Sequence, residues 1–223
     1  SYSGTITIPE KLGNTNGRSL GIAIWGNHST LNGSIDLNGA AVDKISHLNF
    51  TSQNRTGVAI QNGAAVVDGC TFDGYETARS GALFPHNCTF KNNTTALVLE
   101  LANTRLRSDM YNCLFEKNDT AVQVKSITLG SAFLSPYHLR LHDSAFLNNT
   151  TDFYVQTEGT FYFLRNYFAD SGSPTRAANT LTPNGSTVYV NPVWKYRDAG
   201  TGALRELTLV EGESTRLPVN EDW

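Results

Sequence analysis

The sequence predicts an all-β chain wound as a single-stranded parallel β-helix, about six to eight rungs of three short strands each. Three observations predict it. A Phe recurs at intervals of 22, 18, 25, 31 and 22 residues, from Phe50 through Phe72, Phe90, Phe115 and Phe146 to Phe168. An Asn-bearing turn follows each of three of these Phe residues. Between them lie short stretches alternating apolar and polar side chains, the period of a strand. Composition agrees: Asn, Thr and Ser total 63 of 223 residues, against only 17% charged, with 19 Gly and one Met. Such a chain is rich in turn formers, poor in helix formers, and is no helical bundle.

The first strand of the repeat carries the Phe itself. His47-Leu48-Asn49-Phe50, Gly69-Cys70-Thr71-Phe72, Asn87-Cys88-Thr89-Phe90 and Asn112-Cys113-Leu114-Phe115 align, followed by Asp143-Ser144-Ala145-Phe146 and Arg165-Asn166-Tyr167-Phe168. Two residues before each Phe stand Leu48, Cys70, Cys88, Cys113, Ser144 and Asn166, on the same strand face. Cys70, Cys88 and Cys113 thus read as a buried stack, not as metal ligands or nucleophiles. An odd number of Cys makes no disulfide framework. The turn after the Phe places Asn93, Asn118 and Asn149 at one position and Thr95, Thr120 and Thr151 two residues later. Like residues stacked about 4.8 Å apart can bond one another across rungs and satisfy turn amides.

The next strand is Ala96–Glu100, Ala121–Lys125 and Asp152–Gln156, with Val58–Gln61 fitting the same place. Alternation turns Leu97, Leu99, Val122, Val124, Phe153 and Val155 inward, and Val98, Gln123, Tyr154, Glu100, Lys125 and Gln156 outward. The third strand leads back to the Phe, with Ala65/Val67, Leu83/Pro85, Ser108/Met110, Leu139/Leu141 and Phe161/Phe163 inward. The coil is expected over 1–170, with 21–39 as a less regular rung. A loop is expected over 171–186, where apolar periodicity stops. Residues 187–223 are expected to supply a C-terminal hairpin, Thr187 to Trp194 with Leu204 to Val210, covering the coil's open end.

The Phe, Cys and Asn ladders together resemble the right-handed parallel β-helix of the pectate-lyase-like superfamily, over about residues 20 to 170. The resemblance implies that members cutting polyuronates carry acidic clusters with an Arg or Lys base, or paired carboxylates as glycoside hydrolysis requires. Neither pattern is present here: there is no Asp-Asp pair, no Asn-Thr-Asp, no Gly-His-Gly and no Arg-Ile-Lys. Trp25-Gly26-Asn27-His28 is similar to a Trp-x-Asp-His element of pectate lyases, but has Asn for Asp and lies at the other end of the chain.

Register brings two outward groups together. One is Arg107, Asp109, Tyr111, His138, Arg140 and His142, joined along the same column by Asp68 and His86. Arg107, His138, Arg140 and His142 are the candidate catalytic residues, suited to acid–base work or to an acidic sugar. Asp109 and Tyr111 are candidate ligand-binding residues, as are Tyr154, Gln123 and Lys125 on the second outward sheet, where an aromatic and amides suit a sugar ring. Opposite charges paired across rungs, Glu100 with Lys125 among them, explain much of this equally well. His86 and His142, about 9.6 Å apart across two rung spacings, cannot share a zinc ion.

No metal or cofactor is expected. A net charge of −3 offers no basic stripe for nucleic acid, and no apolar run inserts in a membrane. Sequons such as Asn32-Gly33-Ser34 and Asn87-Cys88-Thr89 read as turn chemistry. The Asn/Thr/Ser richness is similar to that of secreted bacterial surface proteins, so an extracellular location is expected. The expected function is a non-catalytic cell-surface or secreted module. It would serve as a scaffold or adhesin-like platform whose partners are polysaccharides or host and cell-surface glycoproteins. The alternative is a small polysaccharide lyase or glycoside hydrolase acting on acidic polysaccharide.

Overall fold

A computed structural model describes residues 1–9, 22–80, 82–102, 108–128, 139–157, 159–171, 176–182, 186–190, 194–197 and 200–207. Nearly all described strands join one parallel sheet system wound as a right-handed β-helix. Three strand columns run along the coil. The first stacks Val58–Gln61, Thr77–Ser80, Thr95–Ala102, Thr120–Thr128, Thr151–Val155 and Thr180–Leu181. The second stacks Ala64–Asp68, Ala82–His86, Ser108–Tyr111, Leu139–His142, Gly159–Leu164 and Ser186–Val190. The third, carrying the Phe, stacks Thr71–Asp73, Thr89–Lys91, Leu114–Glu116, Ala145–Leu147 and Tyr167–Ala169. Ala41–Thr51 heads both the second and third columns, and Ala23–Asp36 and Tyr2–Thr7 stack above it.

In-register pairing places identical rings one above another. Phe50, Phe72, Phe90, Phe115, Phe146 and Phe168 form one interior column with centroids 4.8, 4.8, 5.0, 4.8 and 5.2 Å apart. Each ring is buried, removing apolar area worth about 2–3 kcal/mol from water, with stacking adding about 1 kcal/mol per pair.

Beside the rings runs a polar ladder. Asn118 Oδ1 accepts from both the backbone N–H and the Nδ2 of Asn93, each at 3.0 Å, and Asn149 Oδ1 accepts the same pair from Asn118 at 3.0 Å. The carboxamide nitrogens donate to the carbonyls of Phe72, Phe90 and Phe115. Tyr75 takes the Asn position in its own rung. Its N–H donates to Asn93 Oδ1, and its hydroxyl lies 2.6 Å from the Gly33 carbonyl and 2.9 Å from that of Thr51. Burial pushes its phenol pKa up to about 12. At the other end Asn149 Nδ2 donates to the fully buried Asp152, whose carboxylate is held by Arg176 at 2.5 and 3.0 Å.

The C-terminal region differs from the sequence expectation. Thr180–Leu181, inside the expected loop, adds a strand beside Phe153 and Tyr154. Ser186–Val190 pairs parallel with Gly159–Leu164, so the coil continues where a hairpin strand was expected. The reason is packing: Val188 and Val190 lie against the core. The antiparallel hairpin instead joins Trp194–Arg197 to Leu204–Leu207.

Candidate functional site

Between the second and third columns every rung bends at one residue. His47, Gly69, Asn87, Asn112, Asp143 and Arg165 hold this place with φ of 54, 62, 54, 52, 51 and 52°. Gly, Asn, Asp and, to a lesser degree, His adopt this left-handed conformation, whereas Arg carries a steric cost of about 1–2 kcal/mol. The carbonyl before the bend takes a backbone N–H from the neighbouring rung at His86 and Tyr111, and the side chain just after the bend adds a second donor. Cys88 Sγ donates to His86 O at 3.1 Å, Cys113 Sγ to Tyr111 O at 3.3 Å, and Ser144 Oγ to His142 O at 3.0 Å. The cysteines are therefore hydrogen-bond donors as well as small core fillers, which explains why Ser continues their column.

The bend side chains point outward and bond along the coil. Asn112 Nδ2 donates to Asn87 Oδ1 and Asn87 Nδ2 to Asp68 Oδ1, both at 2.7 Å, and Lys44 Nζ holds Asp68 at 2.6 Å. Burial raises the Asp68 pKa, but the bonds from Lys44 and Asn87 outweigh it and the net shift is downward. One rung below Asn112, Asp143 receives Arg165 Nε and Nη2, each at 2.6 Å, and His142 Nδ1 lies 2.6 Å from its Oδ2. The Arg165 bonds hold the Asp143 carboxyl below the usual carboxylate range. Asn112 Oδ1 and the Asp143 carboxylate thus stand as neighbouring acceptors, with no donor between them among the described residues.

These bend residues form one wall of a shallow groove of about 470 Å³ along the coil, within the range of small-ligand sites. Thr89, Leu114, Ala145 and Tyr167, the outward residues of the Phe strands, form its other wall. On the far side of the bend His86, Tyr111 and His142 stack as an aromatic column, centroids 4.2 and 5.6 Å apart.

Of the residues singled out from the sequence, Tyr111 and His142 come together in this column. Asp109 and Arg140 are in-register neighbours on the same two strands. Arg107 and His138 lie outside the described residues. Gln123, Tyr154 and Lys125 sit apart on the first column, where Gln123 Nε2 donates to Gln156 Oε1 at 2.7 Å and Gln156 Nε2 to the Tyr154 hydroxyl at 3.1 Å. A bulge after Leu99 puts Glu100 opposite Ser126, yet Lys125 Nζ still reaches Glu100 at 3.4 Å. Val98, expected outward, is buried.

Sequence reasoning did not single out Asn87, Asn112, Asp143, Arg165 and Tyr167 as a site. Their signal was present: Gly, Asn or Asp three residues before the Phe marks a left-handed bend, and outward side chains at one bend must form a column. Among the described residues no three His, Cys, Asp or Glu side chains converge as a metal ion requires. The chain matches no protein-family model, no curated protein and no solved structure.

Proposed function

We propose that this chain is a non-catalytic parallel β-helix module of the pectate-lyase-like kind, borne by a bacterial cell-surface or secreted protein, and that its bend groove holds glycan. The observation that supports this reading is the state of Asp143. Among the described residues it is the sole carboxylate lining the groove, and Arg165 and His142 already occupy its oxygens. Glycoside hydrolysis by paired carboxylates needs two such groups about 5–9.5 Å apart.

Beside the apolar Leu114 and Ala145, the lining residues Asn87, Thr89, Asn112 and Tyr167 offer amides, a hydroxyl and an aromatic ring, groups that recognise sugar hydroxyls and a pyranose face. A hydroxyl donor fits between the acceptors Asn112 Oδ1 and Asp143. The rung repeat of about 4.8 Å spaces the other outward polar groups of the groove along a linear chain. Because the groove's charges are internally paired, a neutral glycan suits it better than an acidic one.

Calorimetric titration with neutral oligosaccharides of increasing length, and with uronate oligosaccharides, tests the reading. Saturable binding that N112A weakens by about tenfold, with no reducing ends released, is the expected result. Release of product from any polymer overturns it.

The contact between His142 and Asp143 favours a second reading, a small lyase or hydrolase acting on acidic polysaccharide. An imidazole oriented through Nδ1 by a carboxylate presents Nε2 as a general base. Cleavage that disappears in H142A would establish this reading in place of the first.

A further inference from the structure

Arg79 lies on the inside of the coil. It pairs in register with Ile60 one rung above and Leu97 one rung below, both fully buried, and is itself 1% exposed. Its neighbours along the same strand positions are the small side chains of Ala59, Ala78 and Ala96, also fully buried. An aliphatic column therefore contains one guanidinium.

Its protein partners are too few. Nη1 makes one long contact of 3.4 Å to the Ile60 carbonyl, while Nε and Nη2 have no acceptor. Tyr75, the other large polar side chain buried in that rung, directs its hydroxyl to the Gly33 and Thr51 carbonyls. Among the described residues no carboxylate pairs with Arg79. A buried, unpaired charge costs several kcal/mol, and burial accordingly pushes the Arg79 pKa well down.

The unsatisfied atoms are not scattered over the guanidinium. Nε and Nη2 form one edge, with two parallel N–H bonds that grip an anion side-on. Arg165 shows that edge in use in this same chain, where its Nε and Nη2 each bond an Asp143 oxygen at 2.6 Å. We propose that a small monovalent anion of halide size is bound inside the coil on the Nε–Nη2 edge of Arg79. It supplies the counter-charge that no described side chain supplies there, and it enters as the rungs close because the edge is sealed from solvent. This site is separate from the bend groove and does not depend on how the groove is used.

Two measurements test it. The protein is refolded at constant ionic strength with bromide replacing gluconate, an anion too large for the interior. Tm is expected to rise by about 3 °C per tenfold increase in bromide. R79M should be insensitive to the replacement, and more stable than the wild type in gluconate. Crystals grown in bromide should show an anomalous peak beside Arg79 Nε and Nη2. A wild-type Tm indifferent to bromide, an R79M protein that follows bromide as the wild type does, or a map without that peak would overturn the proposal. Should R79M fail to fold, the anomalous map of the wild type decides alone.

Discussion

Arg165 binds both carboxylate oxygens of Asp143 from the rung below, and both residues sit at left-handed bends, φ 52 and 51°. The pairing offsets the strain of a bend that arginine does not favour, and it fixes the wall of the groove where the amide ladder of Asn87 and Asn112 stops.

This pair gives a pH dependence with a definite sign. Arg165 lowers the Asp143 pKa in the folded state, so the stabilisation is fully present above the unfolded carboxyl value of about 3.9 and is lost as pH falls through the folded value. Asp143 is 45% exposed, and solvent screening reduces the contribution to about 0.5–1 kcal/mol. Tm measured from pH 7 to pH 2 should fall less steeply below pH 4 in D143N than in the wild type. Parallel curves would contradict the assignment.

The interior ladder should be far less tolerant. In N118L the Asn93 N–H and Nδ2 lose their acceptor and the Phe90 carbonyl loses its donor. Stranding these buried groups is expected to cost about 3 kcal/mol, read as a lower urea midpoint with unchanged m-value. N92L offers the contrast: Asn92 bonds Asp73 at 2.8 Å on the outside and should cost under about 1 kcal/mol.

The cysteines should be silent. Cys70, Cys88 and Cys113 are buried, and desolvation raises Cys88 well above the usual thiol range and Cys113 to about 12. A disulfide-exchange reagent at pH 8 should titrate no thiol in the folded protein and three in urea. C113S keeps the donor to Tyr111 O, whereas C113V removes it and should destabilise by about 1–2 kcal/mol more.

Asp152 closes the far end of the Asn ladder. D152A leaves Asn149 Nδ2 and the Asn179 N–H without their carboxylate and leaves Arg176 only its Asp170 partner, and is expected to cost about 3 kcal/mol in chemical denaturation. Restoring part of the loss with R176M in the same chain would show that the half-paired cation contributes to it.

What the sequence made legible was whatever repeats in one environment. Phe90 and Phe115, Cys88 and Cys113, Asn93 and Asn118 sit at equivalent points of successive rungs, so identity at a fixed offset reveals them. The groove was less legible because its residues differ: Asn112, Asp143 and Arg165 share a backbone conformation, not a side chain. Their pairing also depends on which outward side chains meet, which alternation alone does not state. Arg79 was hidden for the opposite reason, a cation at a position whose neighbours Ile60 and Leu97 are aliphatic. Thr180–Leu181 escaped, and the strand expected from Thr187 was placed in a hairpin, because these segments add to the coil without its Phe or Asn signals.

The ladder of Asn93, Asn118 and Asn149 has a direction: each oxygen comes from the later rung and serves the earlier one. A nascent chain, emerging amino end first, therefore always holds one unanswered amide at its newest turn. Splicing out a whole winding between equivalent positions, Asn93 to Asn118 for instance, leaves every such amide served. Severing the chain before Asp152 does not, so the coil can be shortened from its middle but not from its carboxyl end.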